Sequence, residues 1–411
     1  MKKRLSFDFL VLLAIVTAFF VLFKFQDLDY SFLDKLKTVD KNTLVQKVYT
    51  ENVAYTDLDE EENEVFLKEI CDKSLETEFG NCFYYETLKE EEKVVYKEIF
   101  CILKDMKNNV ELSVTDSYFV EKIFKCVMND HPEFYYVEGY TYTTYTKKDT
   151  ITKLEFSGTY TKSKEECEAL NEQIDRYVTE CFLGMPTGLS DYGKVKYLYE
   201  YIIDRTEYDL MAKESQNICS VFLQGKSVCM GYARAMQYLL LKEDILCTIV
   251  NGTAEEGEEH AWNMVRLDGE YYHLDVTWGD ASYTGENTGI LGEGITNYSF
   301  FCVTTDEIEK THTIGAFIPL PECTSRDNNY YIKEGYFFNA ADKEKLSTVF
   351  NEAYESEKGY VEIKCENEAV YEEIFTYLIE DRHIFDYMQE GNDSVSYYDG
   401  KELLLLEIWL K

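Results

Sequence analysis

Positive charge is scarce in this 411-residue sequence: 41 lysines and arginines stand against 78 aspartates and glutamates, a formal net charge of −37. A field of that sign repels phosphate backbones and anionic headgroups, which excludes nucleic acid as a direct ligand. The acid serves solubility first; a cationic partner such as a lysine-rich protein would suit it, but the charge identifies no substrate. The 12 cysteines include no C-x-x-C pair and show no metal-like spacing with histidine, so the common zinc and dithiol motifs are excluded and no metal or cofactor is expected. Cys101, Cys126 and Cys247 sit in apolar runs and read as small buried hydrophobes. Internal repeats and low-complexity blocks are also lacking, so the fold is not built by repetition. Only one apolar run is long. Residues 6–23, broken by Asp8, follow Lys2, Lys3 and Arg4 and end at Lys24, and no small-x-small cleavage site comes after them. The run exceeds a signal-peptide core of about 7–15 residues and just reaches membrane-spanning length. The preferred expectation is a single-pass membrane anchor at residues 1–24 with the remainder extracytoplasmic; the alternative is a cleaved signal and secretion.

The length fits two or three domains, and an apolar content of 45% is ample for separate cores. Residues 25–78, with acid concentrated at 57–64, are expected to be a solvated linker. Residues 79–189 form an α+β region: helices are expected at 86–106, 117–128 and 164–182, with a Tyr-rich hairpin at 133–146 and 150–160. A further helix at 192–204 leads into the segment 190–310, which carries the chemistry. Residues 311–411 are expected to be a small α/β domain: strand 330–338, helix 343–357, strand 360–365, helix 369–380, and a hairpin at 395–410 turning at Asp399-Gly400.

Within 190–310, the stretch from Gly225 through Cys229 to Met236 opens a helix whose apolar positions Tyr232, Ala235, Met236, Leu239 and Leu240 fall on one face. With Ser227 as N-cap, Cys229 lies in the first turn. There the unpaired amides and the positive end of the dipole favour thiolate and could hold an oxyanion. A cysteine near a helix start is by itself more often structural.

The hairpin that follows changes the weighing. Asp268-Gly269 suits a two-residue turn, which pairs Leu267 with Glu270 and, counting back, Trp262 with Asp275 and His260 with Thr277. His260 and Asp275 become diagonal neighbours on one face, about 7–8 Å apart at Cα, within reach of a carboxylate–imidazole hydrogen bond. Ala261, Val265, Leu267, Tyr272, Leu274 and Val276 occupy the other face; Asn263 alone departs from that pattern. Next to an activated thiol such a pair has a defined use: His260 takes the thiol proton and later protonates the leaving amine, while Asp275 fixes its tautomer. A His/Asp pair in a sheet can also be a satisfied polar network. His273, on the same face, is a competing base ranked behind His260.

Cys229-Met230-Gly231-Tyr232-Ala233, His260-Ala261-Trp262-Asn263 and Tyr272-His273-Leu274-Asp275-Val276-Thr277-Trp278 resemble, in order and spacing, the three motif blocks of the bacterial transglutaminase-like superfamily. Tyr208-Asp209 and Asn297-Tyr298 are similar too. The resemblance implies a papain-like α+β fold, with a cysteine-bearing helix packed on an antiparallel sheet that carries histidine and aspartate. It implies Cys229 as nucleophile, His260 as base, Asp275 as orienting acid, and Trp262, Trp278 and Tyr232 as substrate-binding residues; the alternative for the two tryptophans is a place in the core. Many relatives have glutamate where Met230 stands and Asp-Asp-Pro where Gly279-Asp280-Ala281 stands. Residues 283–295, with four glycines, form a lid candidate, and Gln224 is a minor candidate for the oxyanion. The expected function is thiol-dependent acyl transfer or hydrolysis on protein or peptide amides outside the cytoplasm. A catalytically silent surface binding or scaffold module on the same fold is the alternative, and a metal site of Cys229, His260 and His273 ranks last.

Overall fold

A computed structural model describes residues 79–254, 257–280, 296–356, 358–389 and 394–410. The expected anchor, the acidic linker and the lid candidate at 283–295 lie outside these residues. Among the described residues no helix is long and apolar enough to cross a membrane.

The N-terminal region contains α1 (Phe83–Thr87), α2 (Glu90–Lys104), β1 (Val110–Glu111), α3 (Ser117–Asp130), the hairpin strands β2 (Val137–Lys147) and β3 (Thr150–Tyr160), and α4 (Lys164–Gly184). The single helix expected at 86–106 is two. Leu88 is extended, and α2 restarts where the Glu92 carboxylate accepts the Lys89 N–H at 2.9 Å, with Glu90 and Glu91 in the same dipole-favoured first turn. In the hairpin, Lys148 and Asp149 both take positive φ, as a tight two-residue turn demands.

The segment that carries the motifs runs through α5 (Asp191–Ile203), β4 (Glu207–Tyr208), β5 (Lys226–Ser227), α6 (Cys229–Lys242), β6 (Cys247–Thr253), β7 (Glu259–Leu267), β8 (Glu270–Leu274), β9 (Phe301–Val303), α7 (Thr305–Ile308) and β10 (Thr313–Ile314). The last five strands form an antiparallel sheet in the order β10-β6-β7-β8-β9. Helix α6 lies against β6 and β7. It is buried nearly all round, Arg234 and Gln237 included, which makes it a central helix rather than a surface one. The fold is α+β, a cysteine-bearing helix on an antiparallel sheet. One registration differs from expectation: β10 pairs with β6, so residues assigned by sequence to a unit beginning at 311 complete this sheet.

The remaining elements are α8 (Tyr330–Lys333), β11 (Phe337–Phe338), α9 (Lys343–Glu355), β12 (Tyr360–Cys365), α10 (Glu368–Phe375), β13 (Ser396–Gly400) and β14 (Leu405–Trp409), with a second sheet ordered β11-β12-β14-β13. The strand expected at 330–338 begins as a helical turn, Tyr330–Lys333, and is strand only at Phe337–Phe338, because the Asn329 side chain accepts the Tyr331 N–H and caps a turn at Tyr330. Asp399 and Gly400 are not a turn but paired strand residues, opposite Leu406 and Leu405. The larger apolar core extends from Phe79 to Tyr331 and takes in Leu405; a second gathers residues from Phe338 to Ile408.

Candidate active site

Cys229 is the first residue of α6 and is partly exposed. Every cysteine among the described residues is a free thiol. The N-cap is Val228, not Ser227, and no side chain caps the helix. Ser227 instead ends β5 and buries its hydroxyl against Ser220 Oγ at 2.7 Å and the Ser215 carbonyl at 3.2 Å. The bridge between β4 and β5, with Asp209 N–H donating to the Ser227 carbonyl, fixes where the helix begins. Below Cys229 a small apolar cluster of Ala233, Ile249 and Ala261 joins helix to sheet. Asn263 bonds the two directly, its fully buried amide donating to the Ala233 carbonyl at 2.9 Å, which accounts for its departure from the apolar pattern.

The β7–β8 hairpin turns at Asp268-Gly269, both with positive φ, and pairs Leu267 with Glu270 back to Asn263 with Leu274. His260 and Asp275 therefore meet: His260 Nε2 stands 2.7 Å from Asp275 Oδ2, both buried. Asp275 Oδ1 accepts the Thr277 and Trp278 N–H groups at 2.9 and 3.1 Å. The backbone is also fixed, since Asp275 N–H donates to the Phe300 carbonyl and Tyr199 of α5 donates its hydroxyl to the Asp275 carbonyl at 3.1 Å. An ionised carboxylate only accepts, so His260 presents its Nε2 hydrogen to Asp275 and leaves Nδ1 for the thiol. Burial alone would push the His260 imidazole down; the charge and hydrogen bond of Asp275, supported by a hydrogen bond with Cys229, outweigh it and hold the ring up to about 10. Burial would likewise push the Asp275 carboxyl up, but His260 and a second histidine hold it well below the usual carboxylate range. The structure thus brings Cys229, His260 and Asp275 together in one chain of contacts.

The second histidine, His312, was not among the residues singled out from sequence. Its Nε2 lies 3.1 Å from the same Asp275 Oδ2, across 37 residues of chain that offer no local pattern to betray it. His273 stands apart from the thiol. Its Nδ1 accepts the Trp262 indole N–H at 3.1 Å, Thr305 Oγ1 meets its Nε2, and burial with the neighbouring His312 pushes it down to about 4, so it is neither a competing base nor part of a metal site with Cys229. The substrate-binding expectation also needs correcting. Trp262 and Tyr232 are fully buried: the indole is tied to His273, and the Tyr232 hydroxyl donates to Asp280 Oδ2 at 2.5 Å. Of the three aromatics only Trp278, 8% exposed, reaches the outside, and it roofs His312 at a ring distance of 4.6 Å. Gln224 spends its amide on the Lys213 carbonyl.

The ligand atoms of His260, Asp275 and His312 lie within 4.8 Å of one another. Around a zinc ion at about 2.1 Å, neighbouring ligands stand about 3.4 Å apart. Here both imidazoles already meet one carboxylate oxygen at 2.7 and 3.1 Å, so the set fits hydrogen bonds rather than an ion.

Residues 184–276 match the transglutaminase-like superfamily. Over those residues the chain is similar to a transglutaminase-like domain. It is 27% identical over 106 residues to the mouse (Mus musculus) protein named kyphoscoliosis peptidase, an alignment covering 22% of this chain and 16% of that protein. Among solved structures it is similar to a TGase, at 15% identity and a TM-score of 0.26, covering 39% of this chain and 54% of that one. It is also similar to a candidate cysteine protease from Cytophaga hutchinsonii, at 13% identity and a TM-score of 0.24, covering 33% and 61%.

Proposed function

We propose that the protein is a thiol enzyme acting on amide groups of protein or peptide through a thioester on Cys229. The observation that carries this reading is the continuous contact from the partly exposed Cys229 through His260 to the buried Asp275. The thiol proton passes to His260 Nδ1, where Asp275 holds it, before the Cys229 thiolate attacks the acyl carbon; the C–N bond then breaks and the amine leaves with that proton. Water or a second amine, deprotonated by His260, attacks the thioester and releases Cys229. The uncapped first turn of α6 offers its amides to the oxyanion. The name of the mouse match gives hydrolysis first place between the two acceptors. The N-terminal apolar run supports a site on the outer side of a membrane, and the acidic composition supports a cationic substrate.

The test is intact-mass analysis of the protein incubated with a panel of lysine-rich and neutral peptides, with and without a primary amine. The expected result is an acyl adduct on Cys229 and peptide turnover, both lost in Cys229→Ala, with His260→Ala slowing turnover by about 10²–10⁴-fold. Turnover that persists in Cys229→Ala would reject the thioester. Peptide binding without adduct or turnover would favour a binding module on this fold.

A further inference from the structure

Asp275 serves two imidazoles. The oxygen that receives His260 Nε2 at 2.7 Å also receives His312 Nε2 at 3.1 Å, while two backbone amides fill the other oxygen. That makes four donors, the full complement a carboxylate can accept, and an ionised carboxylate requires each of them to present a hydrogen. His312 comes from another part of the chain, between α7 and β10. Its side chain is fully buried, and its ring is walled by Trp278, Trp262 and Phe300 at centroid distances of 4.6, 5.0 and 5.5 Å. Its Nδ1 meets Thr311 Oγ1 at 2.8 Å, so the ring is pinned at both nitrogens. A histidine held in this way and shut off from solvent has no route for exchanging a proton with a substrate. Whatever it does passes through Asp275.

We propose that His312 is a positioning residue, which donates its Nε2 hydrogen to Asp275, keeps the carboxylate aimed at His260 and draws off part of its charge. The proton affinity of His260 is thereby held below the value Asp275 alone would impose. The consequence for catalysis rests on the thiol reading above; the effect on His260 does not. The titratable groups facing the pair are His260 from β7, His273 from β8, Tyr199 from α5 and Cys229 from α6, with Asp280 beyond, bonded to Tyr232. His273 already has partners at both nitrogens, and Tyr199 is committed to the Asp275 and Asn297 carbonyls. Loss of the His312 donor would therefore leave the charge of Asp275 concentrated on His260.

The test is histidine-ring NMR on the full chain in a Cys229→Ala background, where loss of the thiol partner lowers the His260 midpoint into an accessible range. In His312→Leu and His312→Asn, neither of which can place a donor where Nε2 stands, the His260 midpoint should rise by about one pH unit, as expected for loss of one hydrogen bond to a charged group. In His312→Gln, whose side-chain nitrogen comes close to the Nε2 position, it should stay within about 0.3 unit of the parent. A role confined to packing would lower melting temperature in all three and leave the midpoint alone. Folded Leu and Asn variants with the parent midpoint overturn the proposal, as does a Gln variant shifted as far as Leu; if Leu does not fold, the contrast of Asn with Gln decides. Alkylation of Cys229, measured in parallel on chains that keep the cysteine, separates the two readings. Should His260→Ala leave alkylation unchanged while the His312 variants still move the His260 midpoint, the thiol reading falls and the positioning role stands.

Discussion

Gly231 lies two residues into α6, and a Cβ there would stand 2.0 Å from Ser227 Oγ and 2.7 Å from both the Ser215 carbonyl oxygen and Ser220 Oγ. The contacts that replace a helix cap before Cys229 thus leave no room for a methyl group. Gly231→Ala should cost about 1–3 kcal/mol through overpacking and shift the thiol away from His260. Melting temperature and the rate of Cys229 alkylation would both fall; an unchanged alkylation rate would show that the Ser220/Ser227 cluster does not position the cysteine. At this scale the sequence exposed the residues that lie in motifs and hid those that do not. His260 and Asp275 could be paired by counting along one hairpin. His312 could not, because its partner is set by the meeting of β10 with β6 and not by any local spacing. Ser227 misled for a related reason: a serine before a helix is a good cap in isolation, but here tertiary contacts claim its hydroxyl.

Elements show the same division between local and distant control. The dipeptide Asp-Gly occurs at two of the three hairpins read from sequence. At Asp268-Gly269 it supplies two positive φ angles and sets the register that builds the site. At Asp399-Gly400 the chain stays in the strand, and the reversal falls on Lys401–Leu403 and on Leu404, which takes the positive φ. The β12–β14 pairing this produces sets Glu362 directly opposite Glu407, each 1% exposed. Lys358 and Tyr330 bond Glu362, whereas burial and the Glu362 charge push the Glu407 carboxyl up to about 9 from an ordinary 4.5. The sign follows from linkage: the folded state holds the Glu407 proton more tightly than the unfolded chain, so this contribution to stability is complete below pH 4.5 and is lost as pH rises towards 9. Glu407→Gln should therefore raise stability at pH 8 by on the order of 2–3 kcal/mol and change it little at pH 5. Chemical denaturation at the two pH values checks this; an equal effect at both would remove the buried acid as the cause.

Across the whole molecule, the two apolar cores are joined by a run of aromatic contacts that ends at the acid. Glu362 accepts the Tyr330 hydroxyl; the Tyr330 ring stacks on Tyr298 at 3.7 Å; Tyr298 stacks on Tyr199, whose hydroxyl holds the Asp275 carbonyl. The C-terminal sheet thus braces the back of the site, while Cys229 opens outward at the front. The mix of helices and strands was legible from hydrophobic periodicity within single elements, and the packing of the cysteine-bearing helix on the sheet from the resemblance of the three motif blocks. The bracing was not, since it depends on aromatic side chains well separated in the chain. The central claim, that Cys229 is a thiol activated by His260, is tested most directly by pH-dependent alkylation with peptide mass mapping, comparing the unmodified chain with His260→Ala and Cys229→Ala. Cys229 should be modified fastest of the cysteines near neutral pH and slow by about tenfold or more when His260 is removed. A Cys229 that is protected, or that reacts at the same rate without His260, would contradict the account.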